Sequence, residues 1–390
     1  MLNGFALFRQ PHGRQLTLIG QTEGRVQELP SCSSLTGCSG FVVAPFAPSA
    51  VYPVLLIRPD RVEQIGDLDM SIDDLESKVQ AQGLHIDDLE SRVEPGLVAS
   101  SCRGFADYHR DFALFHDRLL NGDFQKLVLS RCLDLRREPA ASPLRLFLYA
   151  CKVYPRMFVS LAYTPQSGLW LTATPEVLLA SEAGGWHTVA LAGTMTYREG
   201  LLSGTSPNIY WSRKDMEEQH CVASYITRRL QSFTDDIAEE GPHTVRAGHL
   251  AHLRSDFHFK LPAGAEVGSL IEALHPTPAV CGLPKQEALS FILRHEHHDR
   301  AYYSGFMGPL FPGGLTALYV TLRCMQIFSN GYRLYAGGGL LRDSVELQEW
   351  QETECKLDTM RKLVTFLSTT DEVTNSTSGT TKEEALPKHK

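Results

Sequence analysis

Short apolar runs separated by Gly, Pro and polar pairs dominate the start of the chain. Phe5–Phe8, Leu16–Ile19, Phe41–Val43 and Val54–Ile57 have the length and residue types of strands, with turns at Pro11-His12-Gly13 and around Pro45 and Pro48. The period then changes. Residues 66–100 are acidic and contain Ile-Asp-Asp-Leu-Glu-Ser at 72–77 and again at 86–91. Ile72, Val79, Ile86 and Val93 stand seven apart, with Leu75 and Leu89 between them. Gln82 and Gly83 interrupt the series, which favours amphipathic helices on the protein's own surface over a coiled coil. A helix is expected at Gly104–Leu120, a strand at Lys126–Leu133 and a helix near Leu144–Val153. Strands follow at Met157–Ala162, Leu169–Ala173, Val177–Ala180 and Trp186–Leu191, then a long helix at Trp211–Leu230. Beyond a loop-rich stretch come Ser269–Leu274, the helix Lys285–Arg294, and strands at Tyr302–Leu310, Ala317–Phe328 and Tyr332–Tyr335. A last helix starts at Val345. Antiparallel-type strands broken by helices, without strict βαβ alternation, predict an α+β fold. From Ser368 the chain turns to Ser, Thr, Asp, Glu and Lys, the composition of a disordered tail over 368–390.

Composition narrows the function. With 390 residues, 43% hydrophobic and 21% charged, the chain is an ordinary globular protein with room for a large core. A formal net charge of -8 argues against nucleic acid and anionic membrane partners, so an anionic substrate would need local cationic groups. Nine cysteines without a CxxC pair suggest reduced thiols and a cytoplasmic protein. No apolar segment has the length to span a membrane.

Candidate chemistry concentrates near the end. Arg333–Tyr335 looks like a strand end, and Gly337-Gly338-Gly339 predicts a sharp turn or a close approach to a ligand. On the following helix Glu349, Glu352 and Lys356 form one stripe, while Trp350, Leu357 and Val364 recur on a packing row. The plain reading is a salt-bridged surface helix; the sharper one is a Mg²⁺ site holding an anionic ligand. Asp215 and Glu218, three apart on Trp211–Leu230, supply its natural second half. Four such carboxylates require either a cation or separation in space. Lys126 opens an apolar strand as an exposed edge residue or, if buried, as a general base with its pKa drawn down from about 10.4. Glu176, after Thr174-Pro175, suits a general acid. Arg323 within an apolar run suits a carboxylate clamp, and Gly193 and Thr194 offer free backbone N–H groups. His295-Glu296-His297-His298-Asp299 lacks metal-ligand spacing and is read as a solvated helix end.

These segments together resemble the chorismate-utilising enzymes, the family of anthranilate synthase component I, isochorismate synthase, salicylate synthase and aminodeoxychorismate synthase. The matching pieces are Lys-Leu-Val-Leu-Ser-Arg at 126–131, Thr-Pro-Glu at 174–176, Leu-Ala-Gly-Thr at 191–194 and Lys-Asp-x-x-Glu at 214–218. His-Pro-Thr-Pro-Ala-Val-Cys-Gly-Leu-Pro-Lys at 275–285, Tyr-Ser-Gly at 303–305 and Leu-Arg-Cys at 322–324 follow. Tyr-Ala-Gly-Gly-Gly at 335–339 and Glu-Trp-Gln-Glu-Thr at 349–353 complete the series, in the family's order. The resemblance implies a large two-lobed β-sheet sandwich flanked by helices, with 1–100 as the variable N-terminal part and 101–367 as the chorismate-binding catalytic region.

It also implies chorismate as substrate and Mg²⁺ as cofactor. Glu218 and Glu352 would be the primary ligands, with Asp215 and Glu349 around them through water. Arg323, Tyr303, Gly193 and Thr194 would hold carboxylates, and His252, Lys356, Gly337 and Gly339 would complete the pocket. Branches using ammonia carry Gln where this chain has Lys126, aminodeoxychorismate synthases carry a nucleophilic Lys at Ala192, and salicylate synthases carry Thr at Ala279. All three positions imply the isochorismate synthase branch, with Lys126 activating water and Glu176 as acid. Two residues depart from the pattern: Gln219 replaces a His, and Gln351 an acidic residue. The alternatives are a salicylate synthase and an inactive chorismate-binding subunit. No glutaminase subunit is expected, the protein is expected to be a monomer, and the lack of a fused siderophore module leans towards menaquinone synthesis.

Overall fold

The strand Gly4–Arg9 is buried along its whole length, yet its side chains divide by parity. Phe5 and Leu7 enter one apolar core, whereas Ala6 and Phe8 enter another. Phe41 and Val43 join Ala6 and Phe8, while Val42 and Ala44 turn to a third core. Two sheets thus share a middle core, and each has a second core under helices, because successive side chains on a strand point to opposite faces.

The computed structural model describes residues 2–85, 104–136, 142–197, 210–248 and 250–377. It contains two antiparallel nine-stranded sheets. The first runs Gly282–Leu283, Lys126–Arg136, Gly331–Leu340, Cys324–Phe328, Gly168–Thr174, Phe158–Thr164, Gly4–Arg9, Gln15–Gln21 and Arg61–Asp67. The second runs Ile237–Ala247, Leu250–Phe259, Gly185–Thr196, Val177–Glu182, Ala317–Val320, Phe306–Leu310, Gly40–Ala44, Val54–Ile57 and Gln27–Leu29. The α+β sandwich flanked by helices is therefore observed. Strands from the first 65 residues pair inside both sheets, Gly4–Arg9 with Phe158–Thr164 and Gly40–Ala44 with Phe306–Leu310.

The outer core of the first sheet lies under the helices Ile72–Ala81, Pro143–Val153 and Glu346–Thr377. That of the second lies under Arg213–Leu230 and Val267–Leu274. The first copy of the acidic repeat forms Ile72–Ala81, capped by Ser71; the second copy lies outside the described residues. The helix Glu346–Thr377 continues past Ser368, so the expected tail boundary falls inside it, and 378–390 lie outside the described residues.

Five expectations are corrected. The supposed loop after Leu230 contains the hairpin Ile237–Ala247 and Leu250–Phe259. Its outer strand is largely exposed and carries Gly241-Pro242, so it lacks apolar alternation. The run Ala317–Phe328 is two strands in different sheets, divided at Arg323, whose φ is +47°. The three glycines do not turn but lie within the strand Gly331–Leu340. Glu296 is no solvated helix end: it is buried, pairs with Arg300 at 2.6 Å, and accepts from the Ser130 N–H at 2.7 Å. The two-residue strand Gly282–Leu283 is too short to satisfy that N–H, and Glu296 takes its place. Seven described cysteines are free thiols, but Cys132 is disulfide-bonded, an exception to the all-reduced expectation.

Candidate active site

The chain crosses between the sheets at two neighbouring points. Gly168–Thr174 passes into Val177–Glu182 through Pro175-Glu176, and Ala317–Val320 passes into Cys324–Phe328 through residues 321–323. Backbone bonds tie the crossings together: Val320 N–H donates to Glu176 O at 2.9 Å, and Ala173 N–H to Arg323 O at 3.0 Å. Glu176 and Arg323 therefore face one pocket, both almost wholly buried. The left-handed backbone of Arg323 is a local strain of about 1–3 kcal/mol, held by the strands on either side.

The strand Gly185–Thr196 closes another wall. Its register slips between Ala192 and Met195, and Gly193 in this bulge has φ +69° with a potential Cβ only 3.1 Å from the Asp215 Cβ. The N–H groups expected to be free are taken. Gly193 N–H donates to Glu218 Oε2 at 3.2 Å, and Thr194 N–H to Asp215 Oδ1 at 3.4 Å. Asp215 also completes the capping box with Ser212 that starts the helix Arg213–Leu230.

His252 lies across from this wall. The Arg323 guanidinium donates to its Nε2 at 2.8 Å, which leaves Nδ1 to donate to Gly193 O at 2.8 Å. Burial and the positive charges of Arg323 and Lys356 hold this imidazole neutral, well below its ordinary pKa. Ala279, Tyr303, Gly337, Gly339 and Lys356 also line the pocket. Lys356 donates to Gly337 O at 2.8 Å and to Glu352 at 2.6 Å.

The glycine strand permits this density of groups. A Cβ on Gly339 would lie 2.1 Å from Glu218 Oε1 and 2.8 Å from Lys126 Cε. Close approach, rather than a turn, is what the glycines provide. Lys126 is fully buried, not an edge residue, with Nζ 2.9 Å from Glu218 Oε1. Alternation points Leu127 and Leu129 into the core beneath the helices Phe105–Leu120 and Lys285–His295, and Val128 into the pocket.

Burial alone would raise the Glu218 pKa, but Lys126, Lys214 and Lys356 overcome it and hold the group at about 2. Glu176 goes the other way. Burial lifts it to about 7 against the pull of Arg323, Lys126 and Lys356. Between about pH 2 and pH 7 two buried carboxyls in one site are thus held in opposite protonation states.

Asp215, Glu349 and Glu352 line an adjoining cleft that shares Thr194 with the pocket. Lys214, not singled out from sequence, pairs with Glu349 there. The signal for it was the Lys-Asp-x-x-Glu segment itself, since a cluster of carboxylates demands cations. The donors are of the type Mg²⁺ takes, all carboxylate oxygen, and Glu349 Oε2 is buried without a hydrogen bond. But no three of Asp215, Glu218, Glu349 and Glu352 bring oxygens within 4.8 Å of one another, and lysines pair with Glu218, Glu349 and Glu352. Gln219, where a His was expected, donates to Ala190 O and Ser255 Oγ and supports the helix rather than the pocket.

The family described as "Chorismate binding enzyme" matches residues 61–365. The chain belongs to this family of chorismate-binding enzymes. Isochorismate synthase EntC of Escherichia coli (strain K12) is 31% identical over 241 residues, 60% of this chain and 61% of that protein. The chain thus spans about three fifths of that relative's length. Isochorismate synthase DhbC of Bacillus subtilis (strain 168) is 28% identical over 353 residues, 86% of this chain and 84% of that one. The fold is shared with MenF, the menaquinone-specific isochorismate synthase from Escherichia coli, with TM-score 0.72, 22% identity, and 93% and 88% of the two chains covered.

Proposed function

We propose that this chorismate-binding enzyme converts chorismate to isochorismate. The observation that carries the reading is a carboxyl raised to about 7, Glu176, on the pocket wall, with the buried Lys126 reaching the same pocket through its 2.9 Å pair with the lining residue Glu218. Water adds at ring C2 and gives a proton to the Lys126 amine. The ring double bonds shift, the C4–O bond breaks, and Glu176 protonates the departing hydroxide. Lys126 must first loosen from Glu218 to act as a base. Arg323 and Lys356 supply positive charge for the dianion in a chain whose net charge is -8. Glu218 and Glu352 would hold Mg²⁺, with Glu349 and Asp215 beside them; bound there, the cation neutralises and orients the ring carboxylate. Because water is the nucleophile, no glutaminase subunit is needed.

The test is a product assay on chorismate with kcat and KM for Lys126→Gln and Lys126→Arg. Lys126→Gln should lower kcat by about 100-fold or more with little change in KM, and Lys126→Arg should be similarly inactive. Chorismate binding by calorimetry separates lost chemistry from lost folding. An active Lys126→Arg enzyme would overturn the base role, and release of pyruvate and salicylate would replace the isomerase with a salicylate synthase.

A further inference from the structure

The strand that carries His252 continues beyond the pocket. Alternation along Leu250–Phe259 puts Phe257 and Phe259 in the core under the helices and leaves His252, Arg254, Asp256 and His258 on the opposite face. At the far end His258 lies directly across from His187, with the rings stacked 4.8 Å apart. Glu182, on the next strand, is two residues from Ala180, the cross-strand partner of His187, and so shares that face.

One nitrogen from each histidine and one Glu182 oxygen all lie within 4.8 Å of one another. His258 Nδ1 is 2.9 Å from Glu182 Oε2, and His187 Nδ1 is 3.7 Å from Oε1. The other nitrogen of His187 is committed: Nε2 donates to Asp256 Oδ1 at 2.7 Å. Arg254 Nε holds both Asp256 oxygens at 3.0 Å. With Nε2 engaged by Asp256, Nδ1 is the nitrogen that faces Glu182. Asp256 acts on this ring as an outer carboxylate acts on a metal-binding histidine.

We propose that Glu182, His187 and His258 form a second metal site, outside the chorismate pocket, for a transition-metal ion of the Zn²⁺ class. Two imidazoles and one carboxylate select Zn²⁺, Co²⁺ or Ni²⁺ over Mg²⁺, whereas the pocket's all-carboxylate set has the opposite preference. With bonds of about 2.0–2.2 Å, tetrahedral ligands stand roughly 3.4 Å apart, close to the spacings present. Glu182 and His258 are partly open to solvent, at 43% and 41%, and His187 is buried at 9%. An ion can therefore reach a site with one rigid ligand, leaving a fourth position for water. A surface salt bridge between His258 and Glu182 would account for one of these contacts. What it leaves out is the convergence of His187 Nδ1 on the same carboxylate, with Asp256 fixing the other nitrogen of that ring.

The ion would join Val177–Glu182, Gly185–Thr196 and Leu250–Phe259. These strands also carry Gly193, Thr194 and His252, so the site is a clasp on one wall of the pocket. Metal-free full-length protein titrated with Co²⁺ should take up one equivalent with a visible ligand-field band, and Zn²⁺ should raise the melting temperature. His187→Ala and His258→Ala should each lose the band and the Zn²⁺ shift. Asp256→Asn should weaken binding by about 10–100-fold. Glu218→Ala should keep the band, which distinguishes this site from the carboxylates of the pocket. Circular dichroism checks folding, and His258→Gln, at a half-exposed position, decides the matter if His187→Ala does not fold. A wild-type protein without the band, or the same band in both histidine variants, would overturn the proposal.

Discussion

Opposite shifts on Glu176 and Glu218 show how position sets the chemistry of one residue type. Both are buried, but Glu218 has Lys126 at 2.9 Å, while Glu176 has its cations without a close ion pair. Burial therefore dominates at Glu176 and electrostatics at Glu218. A general acid at Glu176 must be protonated, so activity should fall as pH rises through about 7. The stability contribution has the same sign. The folded-state pKa is raised from 4.5 to about 7, so the fold holds a proton there that the unfolded chain releases. This contribution is complete below the unfolded value and lost as pH rises through about 7. A pH–rate profile of wild type and Glu176→Gln tests it: the basic limb should be absent from whatever activity the variant retains.

At the scale of elements, the glycine strand Gly331–Leu340 and the helix Arg213–Leu230 meet so closely that a methyl group does not fit. Gly339→Ala should push the Glu218 carboxylate and Lys126 apart, removing most activity and destabilising the protein by about 1–3 kcal/mol. Gly314→Ala is the control. Its nearest neighbour to a new Cβ is 3.5 Å away, so the change should stay within about 0.5 kcal/mol. Urea melts and turnover of the two variants provide the comparison, and a fully active Gly339→Ala enzyme would refute this account of the strand.

Across the whole molecule, the pocket lies where the chain switches between two sheets, and groups from both sheets face it. A ligand bound there stabilises the assembled sandwich and not the unfolded chain. Chorismate at 100 times its Kd should add about 2.7 kcal/mol to unfolding, visible as a thermal shift. Lys126→Gln should retain the shift because it alters chemistry more than binding. Arg323→Gln, which removes the buried guanidinium lining the pocket at the crossing, should lose most of it. A wild-type shift in Arg323→Gln would show that the dianion is held elsewhere.

The chain's own pattern determined much of this. Period-two runs located strands in both sheets, the stripe Glu349, Glu352 and Lys356 was set by helical spacing, and the ordered motifs brought the candidate residues to one family. The hairpin bearing His252 is missed by the pattern: Ala251, Leu253, Phe257 and Phe259 alternate on one strand, but its partner Ile237–Ala247 is polar and exposed. Tertiary structure alone decided that Lys126 is buried, that the glycines form a strand, and that Arg323 stands at a crossing between sheets. It also decided which cation neutralises each carboxylate: Lys126 for Glu218, Lys214 for Glu349 and Lys356 for Glu352. Local sequence records which face of an element is apolar. The partner of a buried charge comes from an element remote in sequence, as with Lys126 and Glu218 or Lys214 and Glu349, and only packing brings the two within reach.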